Sequence, residues 1–121
     1  MTRPLIIAIV DDDPGVRGSL DSLLRSVGMS SLAFSSAEAL LAARDPGQLA
    51  CIVTDLHMPG MTGLDLQAEI ARRGWRQPLI MMTAYPTEAS RSQALDAGAA
   101  AFLTKPIDPD RLLAAIERAA A

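Results

Sequence analysis

Five polar side chains stand where apolar runs of this chain end, and their types suit the handling of a phosphoryl group beside a divalent cation. Asp11 and Asp12 follow Leu5-Ile6-Ile7-Ala8-Ile9-Val10. Asp55 follows Ala50-Cys51-Ile52-Val53-Thr54 and opens the loop Leu56-His57-Met58-Pro59-Gly60-Met61-Thr62-Gly63. Thr83 closes Pro78-Leu79-Ile80-Met81-Met82, and Lys105 lies just beyond Ala99 to Leu103. Three carboxylates gathered in one crevice repel one another and raise their own pKa values unless a cation joins them. Magnesium suits such a site, because it keeps several waters and leaves coordination places for phosphate oxygens. Lys105 can add a point positive charge, and the Thr83 hydroxyl can hydrogen-bond a phosphoryl oxygen. Three carboxylates, one Mg2+ and one ammonium make a site that is formally neutral before phosphate arrives.

Each group also has an ordinary explanation. An aspartate run favours a helix N-terminus, Asp55 ahead of Pro59-Gly60 is turn composition, Thr83 suits a strand, and Lys105 beside Pro106 suits a surface turn. Singly, these explanations are at least as good as function. Four strand ends that each offer a needed group are harder to dismiss.

For the groups to meet, the elements carrying them must be neighbours. Leu5 to Val10 is a short, β-branched apolar run, as expected of a central parallel strand covered on both faces. Asp13 as N-cap and Pro14 at the first helical position start a helix, with Val16, Leu20, Leu23, Leu24 and Val27 on one face and Gly28 as its stop. Ser30 to Phe34 forms a second, weaker strand. Ser36 caps a short helix with Ala39, Leu40 and Ala43 inward, ended by Asp45-Pro46-Gly47. Asp55 closes the third strand, and the next helix runs to about Arg73-Gly74, with Trp75 partly exposed beyond it. Pro78 to Thr83 is a fourth strand. Thr87 caps a helix through Ala97 whose inner face, supplied by Ala89, Gln93 or Ala94, and Ala97, is unusually small, so that it can shift. Ala99 to Leu103 is the fifth strand, and Asp108-Pro109 starts a last helix with Leu112, Leu113 and Ile116 inward.

Five strands alternating with five helices across short loops predict an α/β fold, a doubly wound parallel sheet of flavodoxin-like order 2-1-3-4-5 with helices on both faces. The first and third strands are then neighbours at the topological switch point, where such folds bind ligands. Asp11, Asp12 and Asp55 meet there.

The 121 residues contain no repeat and suit one domain, residues 1–121. Half are hydrophobic but only 3% are aromatic, so Ala, Leu, Ile, Val and Met must fill the core. A net charge of -3 and the lack of a basic run argue against nucleic-acid contact by this domain. A single cysteine excludes an intramolecular disulfide, and Cys51 reads as a small buried hydrophobe. The first apolar run is too short for a membrane span and meets aspartates instead of a cleavage site, so a cytoplasmic protein is expected.

Val10-Asp11-Asp12, Asp55 with Met58-Pro59-Gly60-Met61-Thr62-Gly63, Thr83-Ala84, Ala97-Gly98-Ala99 and Lys105-Pro106 together resemble the receiver domain of two-component response regulators, over nearly the whole chain. Phe34-Ser35-Ser36-Ala37-Glu38 and Val10-Asp11-Asp12-Asp13 look most like receivers that precede a LuxR-type DNA-binding domain. The resemblance implies a phosphorylation-dependent signalling switch in which Asp55 accepts a phosphoryl group from a sensor histidine kinase. It implies that Asp12 is a direct Mg2+ ligand, that Asp11 acts largely through water, and that Asp55 and the His57 carbonyl complete the protein ligands. Thr83 would contact the phosphoryl group, Lys105 would pair with it, and Phe102 would be the aromatic switch residue. Lys105-Pro106 is expected to be cis, which X-Pro makes inexpensive. The domain would promote only its own phosphorylation and dephosphorylation. Ala84-Tyr85-Pro86-Thr87 departs from the glycine-rich segment common in that subgroup.

Two rival readings remain. Asp11 and Asp13 have the Asp-x-Asp spacing of haloacid-dehalogenase-like phosphohydrolases, although Asp13-Pro14 assigns Asp13 to helix capping. A phosphorylation-independent adaptor could keep the fold, but the intact acidic pair, Asp55, Thr83 and Lys105 weigh against it. His57 and Tyr85, each two residues beyond a site residue, are expected to tune the phosphoryl lifetime by screening it from water, the alternative being that His57 orients a water for attack. Phosphorylation is expected to promote a homodimer through the fourth helix, fifth strand and fifth helix, with Ala100 and Ala101 giving an apolar contact weakly sensitive to salt. The tail Arg118-Ala119-Ala120-Ala121 is compatible with a true end or with a cut before an effector domain.

Overall fold

A computed structural model describes residues 5–43 and 45–121. The chain alternates β1 (Ile6–Val10), α1 (Pro14–Ser26), β2 (Ser30–Phe34), α2 (Ala37–Leu41), a 3-10 turn (Pro46–Gln48), β3 (Cys51–Asp55), α3 (Gly63–Arg72), β4 (Leu79–Thr83), α4 (Glu88–Asp96), β5 (Ala101–Thr104) and α5 (Pro109–Ala120). The strands form one parallel sheet in the order β2-β1-β3-β4-β5, the expected doubly wound topology. In register, Val10 lies beside Thr54, Asp55 beside Met82 and Thr83 beside Thr104. The carboxyl ends of four strands are thereby level with one another.

Strand side chains alternate between two cores. Ile7, Ile9, Val53, Ile80 and Met82 pack with Leu20 and Leu24 of α1 and with Leu112 and Ile116 of α5. Ala8, Val10, Ile52 and Met81 pack on the opposite face with Leu40 of α2, Leu66 and Ile70 of α3 and Ala94 of α4. Because β1, β3 and β4 are covered twice, they read in the sequence as unbroken apolar runs. Cys51 is fully buried, and burial pushes its thiol up to about 12. The helix starts are set locally. Asp13, Ser36, Thr62, Thr87 and Asp108 each accept a backbone N–H at their helix N-terminus, and Thr62 and Thr87 form capping boxes with Asp65 and Ser90.

The inward faces differ from expectation in three places. Val27 is 48% exposed, because α1 ends at Ser26 and Val27 is its C-cap, already leaving the helical period before Gly28 turns at φ +82. In α2, Ala37 and Leu40 are buried and Ala39 is exposed, because a helix of five residues entered from the Ser36 cap offers only one inward ridge. In α4 the inner face is smaller still: Ala94 is buried, while Ala89, Gln93 and Ala97 are exposed.

A polar bond supplements this slight apolar anchor. The buried Gln67 amide of α3 donates to the Ala94 carbonyl at 2.9 Å, joining residues 27 positions apart. That carbonyl also accepts the N–H of Ala99 at 3.0 Å, so loss of Gln67 would not orphan it. Gln67→Leu keeps a buried side chain and removes the donor. It should cost about 1 kcal/mol in urea unfolding and speed amide exchange in α4 more than in α1 or α5. Unchanged exchange in α4 would show that the bond does not hold it.

Candidate functional site

Asp11 follows β1 directly and is fully buried. Its N–H continues the sheet by donating to the Phe34 carbonyl at 3.1 Å. Its carboxylate accepts the Asp13 N–H at 2.9 Å and the Lys105 ammonium at 2.7 Å. Asp12 is exposed, and the described residues supply its carboxylate no hydrogen bond. Asp55, the last residue of β3, is 6% exposed and lies 3.4 Å from Lys105 Nζ. One carboxylate oxygen from each of Asp11, Asp12 and Asp55 lies within 4.8 Å of the others.

Lys105 reaches these acids from the opposite end of the sequence because its N–H bonds to the Thr83 carbonyl at 2.8 Å, extending the β4–β5 pairing. The Lys105-Pro106 peptide is cis. Burial alone would lower the ammonium pKa, but its bond to Asp11 and the charges of Asp11 and Asp55 outweigh this, and the net shift is upward. Asp55 is also shifted upward, first by burial and then by the Asp11 charge, with Lys105 offsetting part of the rise. In the absence of a metal ion, a proton is thus held on Asp55 more tightly than on an ordinary carboxyl. A site made only of oxygen donors, with one acid open to water, matches the preferences of Mg2+.

Asp11, Asp12, Asp55, Lys105, His57 and Tyr85 all line one cavity of about 260 Å3. The His57 and Tyr85 rings stand edge to face with centroids 6.2 Å apart, and Tyr85 is 76% exposed. Asp13 borders the cavity, but its carboxylate accepts the Gly15 N–H at 2.8 Å, as a helix cap does. Thr83 is fully buried, and its hydroxyl accepts the Tyr85 N–H at 3.0 Å. At that strand end Ala84 and Tyr85 form the cavity wall. Phe102 lies elsewhere, half-buried against the α2–α3–α4 core and lining a groove of about 280 Å3 with Arg91, Leu103, Thr104 and Arg111. A larger apolar groove of about 480 Å3, between the start of α1 and residues 105–109, meets the acidic cavity only at Asp13 and Lys105.

Two residues gain a role that sequence reasoning did not give them. A Cβ on Gly63 would sit 2.5 Å from the Asp55 carbonyl and 2.6 Å from the Met81 sulfur, so only glycine lets α3 begin against the Asp55 backbone. A glycine at a first helical position, against its poor propensity, was the available signal. Arg17 donates from Nη1 to the Asp11 carbonyl at 2.7 Å. Nothing in a separation of six residues marks that pair.

The family described as response regulator receiver domain matches residues 7–117. The chain belongs to this family. Among similar proteins, the response regulator protein TmoT of Ectopseudomonas mendocina is 43% identical over 116 residues, covering 94% of this receiver and 52% of TmoT. The transcriptional regulatory protein FixJ of Azorhizobium caulinodans is 40% identical over 116 residues, covering 96% and 55%. The receiver therefore spans about half the length of these relatives. Among solved structures, FixJ-N superposes with a TM-score of 0.87 at 33% identity, covering 98% of this chain and 95% of that one. The response regulator StyR gives 0.89 at 38% identity, covering 97% and 59%. Receivers of this family are signalling switches, and neither the phosphohydrolase nor the adaptor reading is favoured beside these matches. Among the described residues no helix is long and apolar enough to cross a membrane.

The raised Asp55 pKa has a definite sign in stability. As pH climbs from the ordinary carboxyl value, the unfolded chain loses this proton before the folded one, so the charged group destabilises the metal-free fold above its raised pKa. In EDTA at neutral pH, Asp55→Asn should be more stable than the parent, with the gap closing as pH falls below the ordinary carboxyl range. Urea unfolding at several pH values measures this, and a variant less stable at pH 7 contradicts it. Mg2+ at a hundred times its Kd should stabilise the parent by about 2.7 kcal/mol, and the variant by less.

Proposed function

We propose that this receiver takes a phosphoryl group from the phosphohistidine of a sensor histidine kinase onto the Asp55 carboxylate. The observation that carries the reading is the meeting of Asp11, Asp12 and Asp55 within 4.8 Å beside a lysine ammonium. Asp11, Asp12, Asp55 and the His57 backbone carbonyl are the groups that would hold Mg2+, Asp11 largely through water. When bound, the ion offsets negative charge on the transferring group. Asp55, buried to 6% exposure in the cavity wall, is the nucleophile. Lys105 keeps its ammonium within reach of both buried acids and can follow the charge as it moves onto phosphoryl oxygens. In the Thr83–Tyr85 bond the threonine uses an acceptor lone pair, so its own hydroxyl proton remains available to a phosphoryl oxygen.

Turning that hydroxyl toward the phosphoryl group would release the Tyr85 N–H and loosen the segment leading to α4. Phe102 would then turn inward from its groove, and α4 would shift on its small anchor. The altered face of α4, β5 and α5 would support a phosphorylation-dependent homodimer. Of the two alanines expected to give an apolar contact, Ala100 is exposed but Ala101 is half-buried against the α1–α5 core, because strand β5 turns it inward; exposed Leu95 of α4 would supply apolar surface in its place, with Arg91 and Arg111 flanking the Phe102 groove. The cytoplasm is the compartment for this exchange. Since the chain spans about half of relatives that include a transcriptional regulatory protein, a DNA-binding effector following the receiver fits the remaining length. The domain turns over no substrate besides its own acyl phosphate.

Acetyl phosphate should label the protein only with Mg2+ present, and Asp55→Asn should abolish the label; labelling that survives EDTA or that substitution would overturn the assignment. His57→Ala and Tyr85→Ala should shorten the phosphoryl half-life, and unchanged half-lives in both would remove their screening role. Sedimentation of the Mg2+-beryllofluoride form across a concentration series tests the dimer, which a monomer throughout refutes. The dimer should persist at high salt, and its loss there refutes the apolar contact.

A further inference from the structure

The three residues joining β1 to α1 carry two of the proposed metal-holding acids, and their backbone is pinned on both sides of Asp12. The Asp11 N–H is held by Phe34, and its carboxylate by Asp13 and Lys105. The Asp13 carbonyl accepts the Arg17 N–H at 3.1 Å as the first bond of α1. At the other end of the connection the Asp11 carbonyl takes Arg17 Nη1 at 2.7 Å. Arg17 thus grips this connection twice, through its backbone and through its side chain.

That second grip bears on Asp12 directly. The Asp11 carbonyl and the Asp12 N–H belong to one planar peptide group. Holding the carbonyl restrains the plane before Asp12, and the Asp13 N–H bond to the Asp11 carboxylate restrains the plane after it, so together they restrain the direction in which Asp12 leaves the loop. The described residues supply the Asp12 carboxylate no hydrogen bond that could aim it instead, and the side chain is exposed. The guanidinium also remains charged at any working pH, and it sits beside an acidic cluster.

We infer that Arg17, through its bond to the Asp11 carbonyl, is a positioning residue that pre-aims Asp12 for a divalent cation. This rests on the reading of the acidic cluster as a Mg2+ site. Partners that orient metal ligands without touching the metal commonly affect metal affinity by about tenfold or more.

The test is Mg2+ binding by calorimetry to the parent and to Arg17→Met, Arg17→Gln and Arg17→Lys. The Met and Gln variants keep part of the stem and lose a donor of sufficient reach, and either suffices if the other fails to fold. Both should bind Mg2+ about tenfold more weakly, while Arg17→Lys, with a charged donor only one bond shorter, should stay within about threefold of the parent. Acetyl phosphate labelling should show the same split: the weakened variants reach the parent rate at saturating Mg2+, with half-saturation moved about tenfold upward. A parent that binds no Mg2+ defeats the underlying metal reading. A parent that binds, with Met and Gln variants binding equally well, overturns the role of Arg17, as does a Lys variant no better than Met. A purely structural arginine would lower the urea midpoint and leave Mg2+ affinity unmoved, which also overturns the inference.

Discussion

Three carboxylates within 4.8 Å of one another are mutually repulsive, and most of the site's architecture can be understood as what holds them there. The parallel register of β1 with β3 makes them neighbours, and that register is set by apolar side chains interlocking on both sheet faces. Lys105 supplies the nearest compensating charge, carried across from β5 by the β4–β5 pairing. The compensation is incomplete, as the raised Asp55 pKa shows, because the same burial that gathers the acids also strips their hydration. The apolar core thus stores an electrostatic tension at its edge, one that a divalent cation would relieve.

The surroundings of that edge are unevenly fixed. On one side, Asp11 is held at its N–H, carbonyl and carboxylate, and Gly63 lets α3 begin in contact with the Asp55 backbone. On the other, Tyr85 is 76% exposed, and α4 follows with one buried alanine. A change at the acids meets firm resistance toward α1 and α3 and little toward α4. Two polar connections lead that way: the Thr83 hydroxyl to the Tyr85 N–H, and Gln67 of α3 to the Ala94 carbonyl. Polar bonds of about 1 kcal/mol each can be exchanged at modest cost, whereas displacing a well-packed core helix cannot be done so cheaply. The small inner face of α4 is therefore consistent with a switching element.

Much of this was legible in the amino-acid sequence. Strand and helix identity followed from unbroken β-branched runs, from Asp13-Pro14 and Asp108-Pro109, and from glycines after helix ends, all of them local signals. A doubly wound parallel sheet followed from alternation and short connections, and the choice of the flavodoxin-like order 2-1-3-4-5 within that class brought Asp11, Asp12 and Asp55 together. The inward faces of short helices were less legible. Ala39 was expected inside and lies outside, because in a one-turn helix the entry angle decides the face and periodicity has too few residues to show it.

The sequence by itself determined which groups reach the sheet's carboxyl edge, because each of them follows an apolar run whose side chains, packed on both faces, fix the strand's register. Only the tertiary structure decided what each group is bonded to there. Thr83 accepts from Tyr85 instead of lining the cavity, Phe102 sits half-buried in a separate groove, Gln67 ties α3 to α4, and Arg17 clamps the Asp11 carbonyl. These depend on side-chain rotamers and on how helices cross the sheet. Both are set by packing among residues distant in the chain, which no local pattern encodes.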